Sequence, residues 1–251
     1  MLSKTKIKWI NSLERKKNRD AERVFVAEGL KIVSDLLPFM KCHLLVVTEN
    51  IETNKMAQYA DEIVEVSENE YKKISSQKSP QGVLAVFEKP CFKVELDSIT
   101  DKLILALDDI QDPGNLGTII RLADWFDISD VFCSHHTADV FNPKTIQSTM
   151  GAIARVHVHY VDLAEFLEKM KTKMPIYGTF MDGKNIYTEK LSKNGIIVMG
   201  NEGNGISPEI EKIISDKITI PNFATDEVSS ESLNVGVATA IVVAEFRRKF
   251  L

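Results

Sequence analysis

The chain is poor in cysteine: 251 residues contain three, Cys42, Cys91 and Cys133. They are far apart and odd in number, and no Cys-x-x-Cys spacing occurs. That speaks against a disulfide framework or a cysteine-built zinc site and fits free thiols in a reducing cytosol. No apolar run approaches the roughly 18 residues that a membrane span requires. The longest, Val235 to Ala244, is interrupted by Gly236 and Thr239. The first residues, Met-Leu-Ser-Lys-Thr-Lys-Ile-Lys, lack the apolar core of a signal peptide. The expectation is a cytoplasmic protein with no membrane partner. No His-Glu-x-x-His occurs; His157 and His159 share one strand face, and His135 and His136 follow another strand. A zinc site needs a further ligand of fixed geometry, so no metal is expected. The chain shows no internal repeat and no low-complexity tract.

Positive charge is scarce overall. Lys and Arg number 31 against 36 Asp and Glu, a net charge of −5, which argues against a broad nucleic-acid binder. The excess cations are concentrated at one end. Residues 1–31 carry a net +5 and the remainder −10. A basic arm on an acidic body points to local contact with a polyanion, with Arg15, Lys16, Lys17 and Arg19 as its densest cluster. The alternative is a solvated basic helix that binds nothing.

What is present is mostly alternation of strand and helix signals. Short apolar runs at 24–27, 44–47, 63–66 and 83–87 read as strands, with helices over 28–37, 54–60 and 67–75 between them. A linker around Pro90 places a boundary near residue 98, giving a small α/β domain over 1–98 and a second domain over 99–251. In the second, strands at 103–107, 131–133, 156–159, 176–180, 196–199 and 217–220 alternate with helices at 116–126, 144–153, 163–171, 208–215 and 233–249. Strands apolar on both faces predict a parallel sheet covered on both sides. Ser207, followed by Pro208 and Glu209, reads as a helix cap, as does Ser232 before Leu233. Leu233, Val237, Ala240, Ile241 and Ala244 form one stripe of the final helix, read as its packing face.

Three turns share one grammar, an apolar run followed by Gly, Asn or Pro and then a helix. They are Asp112-Pro-Gly-Asn-Leu-Gly117, Val198-Met-Gly-Asn-Glu-Gly-Asn-Gly-Ile-Ser207 and Ser232-Leu-Asn-Val-Gly236. The second is neither the dinucleotide pattern nor a phosphate loop. Together the turns offer Asn115, Glu202, Ser232 and Asn234, with Arg121 on the polar side of the first helix. Each residue has a plain structural role open to it: Asn115, Ser232 and Asn234 as caps, Glu202 as a turn anchor, Arg121 as half of a surface ion pair. Gathered at the carboxyl end of a parallel sheet, where such folds bind small molecules, the five read better as a site.

In order and content these three segments resemble the motifs of the SpoU (TrmH-like) RNA 2′-O-methyltransferases of the SPOUT superfamily, over residues 100–250. Val24-Phe-Val-Ala-Glu-Gly-Leu-Lys-Ile-Val33 also resembles the opening of the substrate-binding domain that many of these enzymes carry at the N-terminus. The resemblance implies an α/β domain with a deep trefoil knot, preceded by a small α/β RNA-binding domain. It implies S-adenosyl-L-methionine as cofactor, held by the turn of Gly200, Asn201 and Gly203 and by backbone near Ile220 and Leu233, with Thr179 lining the same pocket. It implies a homodimer. By motif position Asn115 and Glu202 organise the site, Arg121 is the catalytic cation, and Ser232 and Asn234 position cofactor and ribose. The implied chemistry is in-line attack of a ribose 2′-hydroxyl on the sulfonium methyl, without a metal. Arg121 then stabilises the developing alkoxide rather than acting as a base. Ribosomal RNA is the expected substrate, tRNA the alternative; an RNA-binding protein with a vestigial pocket stands further off. Two features depart from the family pattern: Gly236 replaces a Ser that usually ends the third motif, and Thr225–Glu231 forms a longer acidic loop.

Overall fold

A computed structural model describes residues 2–224 and 232–250, so the acidic loop over 225–231 lies outside the described residues. The chain forms two compact units. The first comprises residues up to Cys91 together with Asp139–Arg155; the second comprises Phe92–Ala138 and the chain from Val156 onward.

In the first unit, α1 (Lys4–Ser12) starts where the Ser3 hydroxyl accepts from the Lys6 N–H. After it come α2 (Lys16–Glu22), β1 (Val24–Glu28), α3 (Leu30–Leu36), β2 (Cys42–Thr48), β3 (Ile63–Val66), α4 (Glu68–Tyr71) and β4 (Val83–Glu88). The sheet order is β1-β4-β2-β3; β4 runs antiparallel to β1 and β2, while β3 is parallel to β2. Leu13, Val24, Leu44, Val46, Tyr71, Leu84 and Val86 share the core on one side. The buried Glu28 closes this unit: its carboxylate accepts from the Tyr71 hydroxyl, the Ser75 hydroxyl and the Ser76 N–H. Two expected helices shrink. Residues 54–60 yield only a 3-10 turn at Ala57–Tyr59, and 67–75 yields the single turn of α4, held by a Ser67–Glu70 capping box. Neither stretch has apolar residues enough for a sustained buried face, and short helices need such packing to persist.

The second unit carries β5 (Leu103–Leu107), α5 (Pro113–Trp125) and β6 (Asp130–Ser134). After α6 (Pro143–Thr149), which lies in the first unit, come β7 (His157–Val161), α7 (Leu163–Met170), β8 (Ile176–Asn185) and β9 (Gly195–Met199). It ends with α8 (Pro208–Glu211), β10 (Asp216–Thr219) and α9 (Val235–Arg248). Six parallel strands form one sheet in the order β10-β8-β9-β5-β6-β7. Every residue of β5 and β9 is buried, as expected of central strands covered on both faces. Ile104, Ala106, Phe132, Phe166, Leu167, Ile176, Ile196 and Val198 build the core on one side.

The last helix differs from expectation in two respects. It begins at Val235, with Asn234 rather than Ser232 as its cap. Its buried face is Val235, Thr239, Val242, Val243 and Phe246. The stripe of Leu233, Val237, Ala240, Ile241 and Ala244 is instead exposed or half-buried. Arg247 does not serve its own helix; its guanidinium donates to the Phe126 and Asp127 carbonyls at the end of α5. Among the described residues, no helix is long and apolar enough to cross a membrane.

Candidate active site

The three motif turns leave the carboxyl ends of β5 and β9 and enter the amino end of α9. The first is fixed by Asp112, whose side chain accepts from the Asn115 N–H at 2.9 Å, with Pro113 in the first helical position. Asp112 is therefore the cap, so the alternative role open to Asn115 by residue type is filled by its neighbour. Asn115 lies inside the first turn with its side chain released for other work. That side chain donates from Nδ2 to Glu202 Oε1 at 2.8 Å. Its Oδ1 accepts from Asn234 Nδ2 at 3.0 Å. Asn234 Oδ1 in turn accepts from the Gly236 and Val237 N–H groups at the start of α9.

The result is a polar chain that joins all three motifs in a fixed direction: α9 N–H groups, Asn234, Asn115, Glu202. Both amides are oriented by it, because each carbonyl oxygen faces a donor and each amino group faces an acceptor. The chain starts at the amino end of α9 and ends on the Glu202 carboxylate.

The second turn closes on itself. Asn201 and Gly205 exchange N–H to C=O hydrogen bonds, both 2.9 Å. A Cβ on Gly200 would lie 2.3 Å from the Gly205 carbonyl carbon, so only glycine lets the two arms of this turn meet. Asn201 pins the turn to the sheet. Its Nδ2 donates to the Asp109 carbonyl at 2.8 Å, and its Oδ1 accepts from the Gly203 and Asn204 N–H groups. Asp109 carries this contact with a left-handed backbone, φ 57°. Asp108 accepts from the Ser207 N–H at 2.7 Å. Ser207 stands at the cap position of α8, but its hydroxyl makes no capping bond. Asp108, Asp109 and Asp112 were not singled out from the sequence. The Asp-Pro pair at 112–113 was a readable cap signal; the left-handed Asp109 left no such trace.

The remaining expected residues lie on β8, after β10, before α9 and on α5. Thr179 on β8 is half-buried and donates to the Val198 carbonyl at 3.2 Å, beside the end of β9. Ile220, half-buried, directly follows β10. Leu233 is 51% exposed just before α9, and Ser232 is exposed beside it. Arg121 is exposed and lines a groove with Thr118, Leu122, Trp125, Phe126, Ala240, Ile241 and Ala244. No hydrogen bond joins Arg121 to the Asn115–Glu202 chain among the described residues.

In the first unit, Arg15, Lys16 and Lys17 are exposed at the start of α2. Arg19 is not: it is 2% exposed, and its guanidinium donates to the Leu13 and Glu14 carbonyls and to Asp139 at 2.6 Å. A guanidinium so enclosed is a structural clamp, which departs from its expected place among phosphate contacts.

Comparison with known proteins matches this architecture. A family model described as the SpoU rRNA Methylase family matches residues 102–244, more than half of the chain. The chain belongs to the SpoU rRNA methylase family. A second model, the MRM3-like substrate binding domain, matches residues 4–85. A curated relative in the family, the 23S rRNA (guanosine(2553)-2'-O)-methyltransferase RlmP of Bacillus subtilis, is 30% identical over 246 residues, covering 96% of each chain. A TrmH-family structure from Porphyromonas gingivalis is 41% identical with a TM-score of 0.86, covering 99% of both chains. An AdoMet-bound rRNA methyltransferase from Sinorhizobium meliloti is 30% identical with a TM-score of 0.88, covering 100% of this chain and 97% of that one.

Proposed function

We propose that this protein transfers a methyl group from S-adenosyl-L-methionine to a ribose 2′-hydroxyl of ribosomal RNA. The observation that carries the reading is the hydrogen-bonded chain Asn234–Asn115–Glu202, which ties three motifs distant in sequence into one arrangement. The family and the ribosomal RNA relative that spans nearly the whole chain support the same reading and favour ribosomal over transfer RNA.

The residues present fit the cofactor. The Gly200–Gly205 turn offers main chain with little side-chain cover: a Cβ on Gly203 would meet only Asn201 Oδ1, at 3.6 Å, and one on Gly205 would meet nothing within 4 Å. Leu233, exposed just before α9, and Ile220, half-buried after β10, would add apolar surface to the cofactor site. Gly200, Asn201, Gly203, Ile220 and Leu233, with Thr179 at the strand end, would hold the cofactor. When bound, it supplies a methyl group already activated on a sulfonium sulfur. The chain's own part is alignment. Glu202 and Asn115 hold the turn and the start of α5 in register, and Ser232 and Asn234 orient the ribose. Arg121 supplies a planar, permanently charged donor for the developing alkoxide. This reaction needs no metal ion.

The same reading assigns residues 1–98 to RNA capture and 99–251 to a knotted methyltransferase domain, acting in the cytoplasm as a homodimer. The dimer is supported by the apolar stripe of α9 and by Trp125, which is 82% exposed. Arg121 lies in the groove between that stripe and α5, so it would border the interface.

Mapping ribose methylation across ribosomal and transfer RNA, with and without the protein, tests the proposal. One ribosomal position that requires the protein is expected. A position only in tRNA would select the tRNA alternative, and cofactor binding with no RNA methylation anywhere would select the vestigial one.

A further inference from the structure

His157 and His159 stand two apart on β7, the edge strand, and so address one face of the sheet. Asp130 opens β6 and pairs in register with His157. Its Oδ1 lies 3.0 Å from His159 Nε2 and 3.6 Å from His157 Nδ1. One ligand atom from each of the three residues falls within 4.8 Å of the other two. The other carboxylate oxygen is already engaged: Oδ2 accepts from the Ser129 hydroxyl at 2.6 Å and faces Lys102 Nζ at 3.5 Å. The rings are held as well. Phe92 stacks on His157 at 4.0 Å between centroids, and Phe132 stacks on His159 at 4.8 Å.

We propose that Asp130, His157 and His159 bind a divalent transition-metal ion, zinc by preference, as a clip between β6 and β7. Two imidazole nitrogens and one carboxylate oxygen suit zinc, cobalt or nickel far better than magnesium or calcium. Tetrahedral zinc with bonds of about 2.0–2.1 Å sets its donors roughly 3.3 Å apart. The observed 3.0 and 3.6 Å lie on either side of that spacing. The widest remaining gap closes by a small shift of His157, whose side chain, though stacked on Phe92, is 43% exposed. Ser129 and Lys102 act on Oδ2 and so orient the carboxylate with Oδ1 toward the ion, the usual work of outer partners. Lys102 is itself a cation near the ion, but its side chain is 45% exposed, and the high effective dielectric at the surface weakens the repulsion. A water on the open side of His157 completes four-coordination.

The clip takes no part in methyl transfer. It sits at the amino ends of β6 and β7, with Lys102 just before β5, whereas the motif turns leave the carboxyl ends of β5 and β9. The competing account is a plain His159–Asp130 hydrogen bond braced by two phenyl rings.

Tag-free protein, stripped with chelator and dialysed, is titrated with Co(II) and followed by visible absorption, then challenged with Zn(II). The expected result is one equivalent bound with a four-coordinate spectrum, displaced by zinc. His157→Ala and Asp130→Asn should abolish it; the double variant His135→Ala, His136→Ala should keep it. His157 is half-exposed, so its alanine variant should retain the wild-type circular dichroism. Zinc at about a hundred-fold excess over Kd should raise the wild-type Tm by roughly 5–10 °C and leave that of His157→Ala unchanged. Binding weaker than about 100 μM, binding that survives His157→Ala, or binding lost with His135 and His136 would each overturn the proposal; such a Kd leaves little free energy for a clip.

Discussion

At the scale of single residues, Arg121 and the glycines of the second turn allow sharp tests. Arg121 makes no side-chain hydrogen bond among the described residues and lies exposed in an open groove. Arg121→Ala should therefore cost little stability, within about 0.5 kcal/mol, as for other exposed sites. Single-turnover methylation should nevertheless fall by about two to three orders of magnitude, the loss typical of a removed oxyanion donor. Arg121→Lys should recover little of it, since a point charge does not replace a planar fork. A near-normal rate in the alanine variant would remove Arg121 from the machinery. Gly200 needs a different kind of test. Its missing Cβ makes room for Gly205 and Ile206 of its own turn. Even Gly200→Ala should thus lower stability as well as cofactor affinity. Gly203→Ala, where a Cβ meets only Asn201 Oδ1 at 3.6 Å, should keep stability and lose affinity only if the cofactor lies against that backbone. Calorimetry of cofactor binding beside thermal melts separates the two. Unchanged affinity in both variants would take the turn out of the pocket.

At the scale of elements, two helix caps look alike and should behave differently. Asp112 caps α5 and Asn234 caps α9, and replacing either with Ala should cost about 1 kcal/mol. Asp112 meets Asn115 at its backbone N–H, whereas Asn234 meets the Asn115 side chain. Asn234→Asp is the discriminating change: it keeps an acceptor for the α9 N–H groups and adds a charge the helix start favours. It loses the amino group that Asn115 Oδ1 accepts from. Melting should be unchanged or improved while methylation falls, whereas Asp112→Ala should melt earlier and retain its rate below the transition. Equal losses of activity in the two would mean that the chain between motifs has no functional weight. The same elements show what was legible beforehand. The six second-unit strands and the three turns were readable because apolar runs and Gly-Asn-Pro clusters are local signals. Which polar residue of a turn becomes the cap was not. Asp112, Asn115, Ser232 and Asn234 are all good caps by type, and the choice depends on a partner about 119 residues away, Asn234 on Asn115. The face of α9 was misassigned for a related reason. Leu233, Val237, Ala240, Ile241 and Ala244 form a true apolar stripe, but Val235, Val242, Val243 and Phe246 form another, and periodicity cannot rank two stripes on one helix.

At the scale of the whole molecule, the uncovered stripe and the basic arm are the features that one chain leaves unused. If the α9 stripe and Trp125 pair two copies, Ile241→Asp should yield a monomer by sedimentation at micromolar concentration and lower methylation, because Arg121 borders the same groove. A fully active wild-type monomer would contradict the pairing. The arm requires a revised test. On charge alone Arg15, Lys16, Lys17 and Arg19 form one cluster, yet Arg19 is buried on Asp139 and two carbonyls. Arg19→Ala would strand the Asp139 carboxylate and those carbonyls, costing about 3 kcal/mol, so any lost RNA binding would report unfolding rather than a lost contact. The informative variant is the triple replacement of Arg15, Lys16 and Lys17 with Ala. All three are exposed, so melting should hold. A body at −10 outside residues 1–31 repels RNA, and recruitment falls to local cations. Each phosphate contact contributes about 0.7–0.9 to the slope of log affinity against log salt. The triple variant should therefore bind ribosomal RNA more weakly at low salt, with a slope shallower by up to about 2 to 3, while cofactor affinity stays at the wild-type value. Near 1 M salt the two proteins should converge, because screening has by then removed most of the electrostatic difference between them. A triple variant that keeps both wild-type affinity and wild-type slope would show that these cations only solvate a helix, and the search for the RNA contact would move to the exposed surface around Arg121.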